Sequence, residues 1–317
     1  MRKIVLSVVA LSGLVAPAIA ADLPAKVVKA PVAVAATPAF DIAFGAAVMS
    51  DYVFRGVTQS NHRPSVAAYF EPRYNINGNL QLYAGISGES ISFANRAAAE
   101  IDFYGGIRPT FGALALDLGV WYYYYPGGQC FAGTATCPNV IANGNVAKAD
   151  ASFYELYAKA VYTMGDFALG GNFYYSPNFL NTGADGEYLS GTVKWTAPSS
   201  IPLPAGLGFY VSGEFGRQWL GTSDPFYGVA AFPAGIKYAD YNTWNIGLGW
   251  TWKVFTLDLR YSDTDLSKAS CNAFTSDFGA AANGNFSPIN PSGVGSKWCG
   301  STFMAKLSAD LTFASLK

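Results

Sequence analysis

The stretch from Trp244 to Ser262, W-N-I-G-L-G-W-T-W-K-V-F-T-L-D-L-R-Y-S, decides the fold of this chain. In its first half, large apolar residues such as Trp244 and Leu248 alternate with small or polar ones. After Lys253 and Val254 the alternation resumes with Phe255 and its successors. Because successive side chains of a β-strand point to opposite faces of the sheet, the pattern predicts a hairpin with one apolar and one polar face.

The same alternation recurs along most of the chain and predicts twelve strands. Most of them have about the 9–11 residues that a tilted strand needs to cross a bilayer. Aromatic residues cluster near the strand ends, as in the aromatic girdles of transmembrane β-barrels. The fold class that we predict is all-β, an antiparallel up-and-down transmembrane barrel. The predicted strands are Phe40–Arg55, Ser65–Tyr74, Leu80–Glu89, Glu100–Arg108, Ala113–Tyr125, Ser152–Tyr162, Phe167–Tyr175, Tyr188–Ala197, Leu207–Gly216, Thr243–Trp252, Phe255–Tyr261 and Thr302–Phe313.

The connections between these strands alternate in length. Outer-membrane barrels show the same alternation, with short periplasmic turns and long extracellular loops. With the first strand rising from the periplasm, every short turn and both termini lie on the periplasmic side. The short connections are Asn75–Asn79, Pro109–Gly112, Thr163–Asp166, Pro198–Gly206 and Lys253–Val254. The longest of the others are Pro126–Ala151, Arg217–Asn242 and Ser262–Ser301.

Charged residues within the predicted strands share the parity opposite to the apolar series. A lipid-facing Arg or Lys at mid-membrane costs about 2–4 kcal/mol, so we interpret this parity as the face that lines the lumen. The predicted lumen-lining residues are Asp51, Arg55, Glu71, Arg73, Glu89, Glu100, Asp102, Arg108, Asp117, Glu155, Lys159, Lys194, Glu214, Asp258, Arg260, Lys306 and Asp310, and Asp41 has the same parity.

These 18 residues comprise 11 acids and 7 bases, a net charge of −4. A lumen with an excess of one sign selects ions through its field, so the count predicts a weak cation preference. Under the alternative interpretation the same residues pair across strands and fill the interior.

Domain boundaries follow from the two ends of this pattern. Arg2 and Lys3, an apolar run and Ala18-Ile19-Ala20 predict a cleaved signal peptide at 1–20, hence export to the cell outer membrane. Residues 21–39 show no periodicity and are predicted to be a flexible periplasmic segment, and 40–317 the barrel. Only 13% of the residues are charged, against about 25% in ordinary soluble domains, and we find no basic stripe for nucleic acid.

A motif follows the first predicted strand at Ser50–Pro64, S-D-Y-V-F-R-G-V-T-Q-S-N-H-R-P. It resembles the opening signature of the TorF-like family of porin-like proteins, also labelled Gcw_chp, in which a D-Y-x-x-R-G-x-[ST]-Q stretch occupies this place. The resemblance implies an outer-membrane barrel and no defined substrate. It is carried by Asp51, Tyr52, Arg55, Gly56, Thr58 and Gln59.

Cysteine and histidine give the remaining candidate sites. Cys130 and Cys137 lie in one long predicted loop, and Cys271 and Cys299 in another, so these two disulfides are favoured among three pairings. The spacing does not fit a zinc site, and we predict no metal or cofactor. His62 is the only histidine and lies near Asp51 and Ser60 in sequence, but we interpret it as a solvated loop residue and predict no catalytic site.

Twelve strands lie between the filled eight-stranded barrels and the wide porins of 16–18 strands. We therefore expect a narrow, non-enzymatic porin-like channel for passive diffusion of small polar solutes or ions, with membrane lipid as its other partner. The alternative is a structural or surface-binding barrel that acts through its extracellular loops without conducting. An outer-membrane enzyme and a soluble secreted β-protein are the weaker alternatives.

Overall fold

The computed structural model describes residues 38–316. The predicted signal peptide, the predicted periplasmic segment apart from Pro38 and Ala39, and Lys317 lie outside the described residues. Within them, no helix is long and apolar enough to cross a membrane.

Twelve antiparallel strands close into one barrel, as the alternation predicts. Each strand pairs with its neighbours in sequence, and β12 pairs with β1 to complete the ring. The strands are β1 Phe40–Met49, β2 Ser65–Asn77, β3 Leu80–Glu89, β4 Glu100–Phe111, β5 Leu114–Tyr124, β6 Phe153–Met164, β7 Phe167–Ser176, β8 Gly186–Thr196, β9 Leu207–Leu220, β10 Tyr241–Trp252, β11 Phe255–Thr264 and β12 Thr302–Thr312.

The two faces of the barrel wall follow the sequence alternation. In β6, Leu156 is 52% exposed on the outside, whereas Lys159 is only 7% exposed. Across the ring, Asp258 and Arg260 of β11 are buried while Leu259 between them is exposed. An apolar outer face around a closed ring of backbone hydrogen bonds is the arrangement that a bilayer requires.

The prediction for the first strand is wrong at its extracellular end. The strand stops at Met49, the last residue that pairs with β2 and β12, and not at Arg55. Beyond it the chain turns inward and forms a separate two-residue hairpin, Val53–Phe54 with Val57–Thr58. Several other strands run further than predicted, among them β9, which continues to Leu220.

Loops on the extracellular side are long and ordered into a cap. They comprise residues 50–64, 90–99, 125–152, 177–185, 221–240 and 265–301, whereas the periplasmic turn at 253–254 has only two residues. The last loop contains helix α1, Lys268–Thr275, whose first turn is capped by the Ser267 side chain. The structure joins Cys130 to Cys137 and Cys271 to Cys299.

The buried core of the molecule lies inside the barrel. Trp121 of β5 stacks on Tyr104 of β4 with ring centroids 4.1 Å apart, and both side chains are almost fully buried. The Tyr83 hydroxyl donates a hydrogen bond to Asp117. Inward aromatic and charged side chains therefore fill much of the lumen, as expected for a barrel of intermediate strand number.

Candidate functional site

The first extracellular loop folds into the barrel as a tight hairpin. Its two central residues, Arg55 and Gly56, have φ angles of 49° and 77°. Two-residue hairpin turns with positive φ at both positions match the twist of the strands, and glycine adopts that conformation without cost. A Cβ on Gly56 would lie 2.7 Å from Oγ1 of Thr243 in β10. The hairpin tip thus packs directly against β10 and β11, where only glycine fits.

Arg55 at the tip reaches the wall opposite its own loop. The loop joins β1 to β2, whereas β6 and β9 lie in the opposite half of the ring, on either side of β7 and β8. The Arg55 guanidinium donates two hydrogen bonds of 2.8 Å to the carboxylate of Glu155 in β6. It donates a third, of 3.0 Å, to the side-chain oxygen of Gln218 in β9. The first loop therefore crosses the lumen.

Aromatic rings enclose the same guanidinium. Its carbon atom lies 4.5 Å from the ring centroid of Phe54, 4.7 Å from that of Tyr174 and 4.4 Å from that of Tyr188. These are cation–π distances. The side chains of Arg55 and Glu155 are 5% and 1% exposed. A lumen with water at this level would leave them accessible, so the hairpin occludes it here.

Asp51 anchors the base of the hairpin. Its carboxylate accepts hydrogen bonds from the hydroxyls of Thr58 at 2.5 Å and Ser60 at 3.0 Å. His62 Nδ1 lies 2.7 Å from the second oxygen of Asp51, and His62 Nε2 lies 2.8 Å from the carbonyl oxygen of Lys297. Hydrogen bonding to Asp51 raises the pKa of His62 above 6.5, the ordinary value. The imidazole thus ties the first loop to the last one.

The cluster of Asp51, Ser60 and His62 lacks the geometry of a nucleophile and its base. The Ser60 hydroxyl lies against Asp51 and the Arg63 carbonyl. Both His62 nitrogens face oxygen acceptors, Asp51 on one side and Lys297 on the other. A nucleophilic serine needs a base within reach of its own proton, and His62 is committed elsewhere.

Two further contacts fix the hairpin against the wall. The Tyr52 hydroxyl donates a hydrogen bond of 2.5 Å to Glu100 of β4. Val57 forms a β-bridge with Cys299, which places the hairpin under the disulfide of the last loop. The motif that carries the family resemblance is therefore the occluding hairpin itself: its Asp, Tyr, Arg, Gly and Thr each make one of the contacts above.

The structure places the predicted lumen residues in three groups. Asp51 and Arg55 leave the wall and belong to the hairpin, whereas the prediction put them in the first strand. Eleven strand residues are buried: Glu71, Glu89, Glu100, Asp102, Arg108, Asp117, Glu155, Lys159, Asp258, Arg260 and Lys306. Five are partly buried: Asp41, Arg73, Lys194, Glu214 and Asp310.

Many of the buried charges pair with one another. Glu71 accepts hydrogen bonds from Arg73 at 2.5 Å and from Arg108 at 2.8 Å. Arg260 donates to Asp258 at 3.0 Å on the other side of the barrel. Buried carboxylates next to guanidinium groups form charge-assisted hydrogen bonds that hold both side chains in place. The pair of Glu71 with Arg108 joins two strands, as in the alternative interpretation, whereas Glu71 with Arg73 and Asp258 with Arg260 are pairs within one strand.

A cavity lies between the hairpin and the other extracellular loops. Its empty volume of about 870 Å³ includes space that is open to solvent. All six extracellular loops contribute to its wall, which is rich in aromatic rings such as Phe93, Phe153 and Trp298. Glu100 supplies a carboxylate to its wall. The sequence gives no sign of this cavity, because its residues come from loops without periodicity.

A closed antiparallel barrel with an apolar outer face and a charged interior is a transmembrane barrel of the outer-membrane type. The chain belongs to the Gcw_chp family, since the family model described as "Bacterial protein of unknown function (Gcw_chp)" matches residues 33–286. No curated protein sequence matches the chain.

Among solved structures, the chain is similar to OmpT, an outer membrane protein of Vibrio cholerae, at 12% identity and a TM-score of 0.34, covering 86% of this chain and 98% of that one. It is similar to LpxR from Salmonella typhimurium at 10% identity, a TM-score of 0.38 and coverages of 86% and 99%. The NanC porin matches at 8% identity, a TM-score of 0.39 and coverages of 86% and 100%. At these values the comparison is informative about neither substrate nor mechanism.

Proposed function

We propose that the protein is a porin-like outer-membrane channel for small polar solutes or ions, and that the hairpin of its first loop closes the lumen. The observation that carries the proposal is the crossing of the lumen by Arg55, whose guanidinium is bound to Glu155 and Gln218 on the opposite wall. A loop held across a closed, polar-lined ring by a few side-chain contacts is what a channel with a displaceable constriction requires.

The composition of the interior supports a channel over a purely structural barrel. Charged and hydrogen-bonded side chains, among them Lys159 and Asp258, occupy the positions that face inward. They would offer polar partners to a hydrated ion once the hairpin moves and the wall side chains that fill the lumen rearrange with it. The excess of acids over bases favours cations, so we propose a weak cation preference.

Conductance in planar bilayers tests the proposal. The purified wild-type barrel is expected to give small, infrequent openings, because side chains fill the lumen at the level of the hairpin. The reversal potential under a salt gradient should show a modest preference for K⁺ over Cl⁻. A correctly folded barrel that never rises above baseline, with the hairpin intact or removed, would rule the channel out.

The second candidate function is binding at the cell surface without conduction. The capped aromatic cavity favours it, because such a concave, largely apolar space is typical of ligand sites. Deletion of the loop at 126–151, which contains the Cys130–Cys137 disulfide, separates the two functions. A channel keeps its conductance after this deletion, whereas a binding protein loses its partner.

A further inference from the structure

Three carboxylates meet inside the barrel just below its extracellular rim. Glu89 is the last residue of β3 and pairs with Glu100, the first residue of β4; Asp102 follows two residues later on the same face. One oxygen from each of the three lies within 4.8 Å of the others. Their exposed fractions are 3%, 2% and 2%, so water does not screen the charges from one another.

Hydrogen bonding leaves part of this cluster unsatisfied. Glu100 accepts from the hydroxyls of Tyr52 at 2.5 Å and Tyr125 at 2.8 Å. Asp102 accepts from one hydroxyl, that of Ser87, at 3.2 Å. Among the described residues, neither carboxylate oxygen of Glu89 and only one of the two in Asp102 has a hydrogen-bond partner.

Basic side chains do not neutralise the negative charge of the three carboxylates. The ion pairs of the described residues join other acids, such as Glu71 with Arg108 and Glu155 with Arg55, and none includes Glu89, Glu100 or Asp102. Like charges directly opposite each other on adjacent strands are destabilising. A buried carboxylate without a partner costs several kcal/mol, so the group must lose its charge or acquire a cation.

Oxygen atoms in this arrangement suit a hard divalent cation. Ca²⁺ takes six to eight oxygen ligands at about 2.3–2.6 Å, so two ligands on opposite sides of the ion lie about 4.6–5.2 Å apart. The three carboxylate oxygens lie within 4.8 Å of one another, which does not exceed the greatest separation of two ligands on one ion, so a single ion can contact all three. Both oxygens of Glu89 and one of Asp102 are without hydrogen bonds, and each Glu100 oxygen accepts only one hydroxyl and keeps a second lone pair, so all three carboxylates can contact the ion.

The capped cavity gives an ion a route to the cluster. Glu100, Tyr52 and Tyr125 all line its wall, so the cluster adjoins space that is continuous with the outside. Tyr52 also belongs to the occluding hairpin. An ion bound here would fix the position of Glu100 and, through the tyrosine hydroxyl, the base of the hairpin.

We propose that Glu89, Glu100 and Asp102 form a binding site for a hard divalent cation, with Ca²⁺ the best fit. The site is separate from the contacts between Arg55 and Glu155, and it does not depend on conduction through the barrel. It is a structural site at the rim, filled from the extracellular side.

Luminescence of Tb³⁺, a Ca²⁺ substitute, tests the proposal on the full folded barrel in detergent. Tyr52 and Tyr125 are close enough to the site to sensitise the ion, so saturable Tb³⁺ emission excited through tyrosine is expected, displaced by Ca²⁺ or Mg²⁺. Removal of divalent ions with EDTA should lower the melting temperature, and added Ca²⁺ should restore it.

Three variants locate the binding. Glu89→Gln and Asp102→Asn each remove one charge from the cluster and should weaken Ca²⁺ affinity at least tenfold. Glu187→Gln makes the same chemical change at an exposed residue of β8 and should leave the affinity within twofold of wild type. If one cluster variant fails to fold, the other still decides the matter.

Two results would overturn the site. One is a wild-type barrel whose melting temperature is the same in EDTA, Ca²⁺ and Mg²⁺ and which gives no saturable Tb³⁺ signal; the carboxylates would then be neutralised by protons, and Glu89→Gln would stabilise the protein equally in every buffer. The other is Ca²⁺ binding that survives unchanged in both Glu89→Gln and Asp102→Asn.

Discussion

Arg55 and Glu155 are 100 residues apart in sequence and join through paired hydrogen bonds of 2.8 Å inside the barrel. One residue belongs to a loop between the first two strands and the other to β6, so the pair spans the lumen. Bidentate pairs of this kind fix both distance and orientation. The contact converts an extracellular loop into an internal constriction.

Breaking the pair on one side should destabilise the barrel more than removing both partners. Glu155→Leu leaves the Arg55 guanidinium buried without its anion, and such a loss costs about 3–5 kcal/mol. The double variant Arg55→Met with Glu155→Leu should recover a large part of that cost, because no buried charge remains. Unfolding free energies from urea titration in detergent measure the difference. Equal destabilisation in the single and double variants would show that the charge pair is not the source of the effect.

Alanine at Gly56 should release the hairpin from the wall. The residue has φ of 77°, and its Cβ would lie 2.7 Å from Thr243 Oγ1 and 2.9 Å from Thr264 Cβ. Gly144 is a matched control, with φ of 81° and no atom within 4 Å of its Cβ position. Each alanine carries the penalty of about 1–2 kcal/mol for a Cβ in the left-handed region, but only Gly56→Ala adds the clash.

Hydrogen exchange of the hairpin amides reports the outcome of that comparison. Faster exchange at residues 53–58 is expected in Gly56→Ala, with wild-type protection in Gly144→Ala. Similar protection in both variants would mean that the tip of the hairpin is not pressed against β10 and β11.

Stability should decline with rising pH through His62. Its pKa in the folded protein is raised above 6.5 by the contact with Asp51. A group whose pKa is higher in the folded state contributes its full stabilisation of the fold at pH values below 6.5. This contribution is lost as the pH rises through the folded-state pKa. The side chain is 38% exposed, so screening limits the effect to about 1 kcal/mol or less. His62→Gln should abolish this pH dependence of the unfolding free energy; a wild-type slope in the variant would assign it to another group.

The two disulfides should contribute unequally. In the chain-entropy relation, the 28-residue separation of Cys271 and Cys299 corresponds to about 3.6 kcal/mol and the 7-residue separation of Cys130 and Cys137 to about 2.4 kcal/mol. The larger bridge also supports Val57 of the hairpin through its β-bridge to Cys299. Paired Cys→Ser variants, followed by thermal melting, measure both. A larger loss for Cys130 and Cys137 would contradict this ranking.

The barrel could be predicted from sequence because its physics is periodic. Alternation in segments such as Trp244–Ser262 reflects lipid on one side and the lumen on the other, so strand number and facing follow directly. The inward hairpin could not be derived in this way. Val53 and Phe54 continue the apolar character of the first strand, and only the Arg55-Gly56 pair signals a turn with positive φ.

Contacts between residues that are far apart in the sequence could not be predicted either. Alternation places Glu155 inside the barrel, but nothing in the chain indicates that its partner is Arg55 and not a residue of an adjacent strand. The carboxylate cluster could not be predicted for the same reason. Parity places Glu89 and Glu100 inside the barrel, but only the register of β3 with β4 sets them opposite each other.

Unitary conductance of Arg55→Ala, compared with wild type and with Arg63→Ala, decides whether the hairpin closes the lumen. Arg63 lies in the same loop and is exposed, so its removal changes the charge of the loop without touching the constriction. We expect Arg55→Ala to conduct at least twice as much as wild type and to open more often, with Arg63→Ala unchanged. Conductance of Arg55→Ala indistinguishable from wild type would contradict a lumen gated by the first loop.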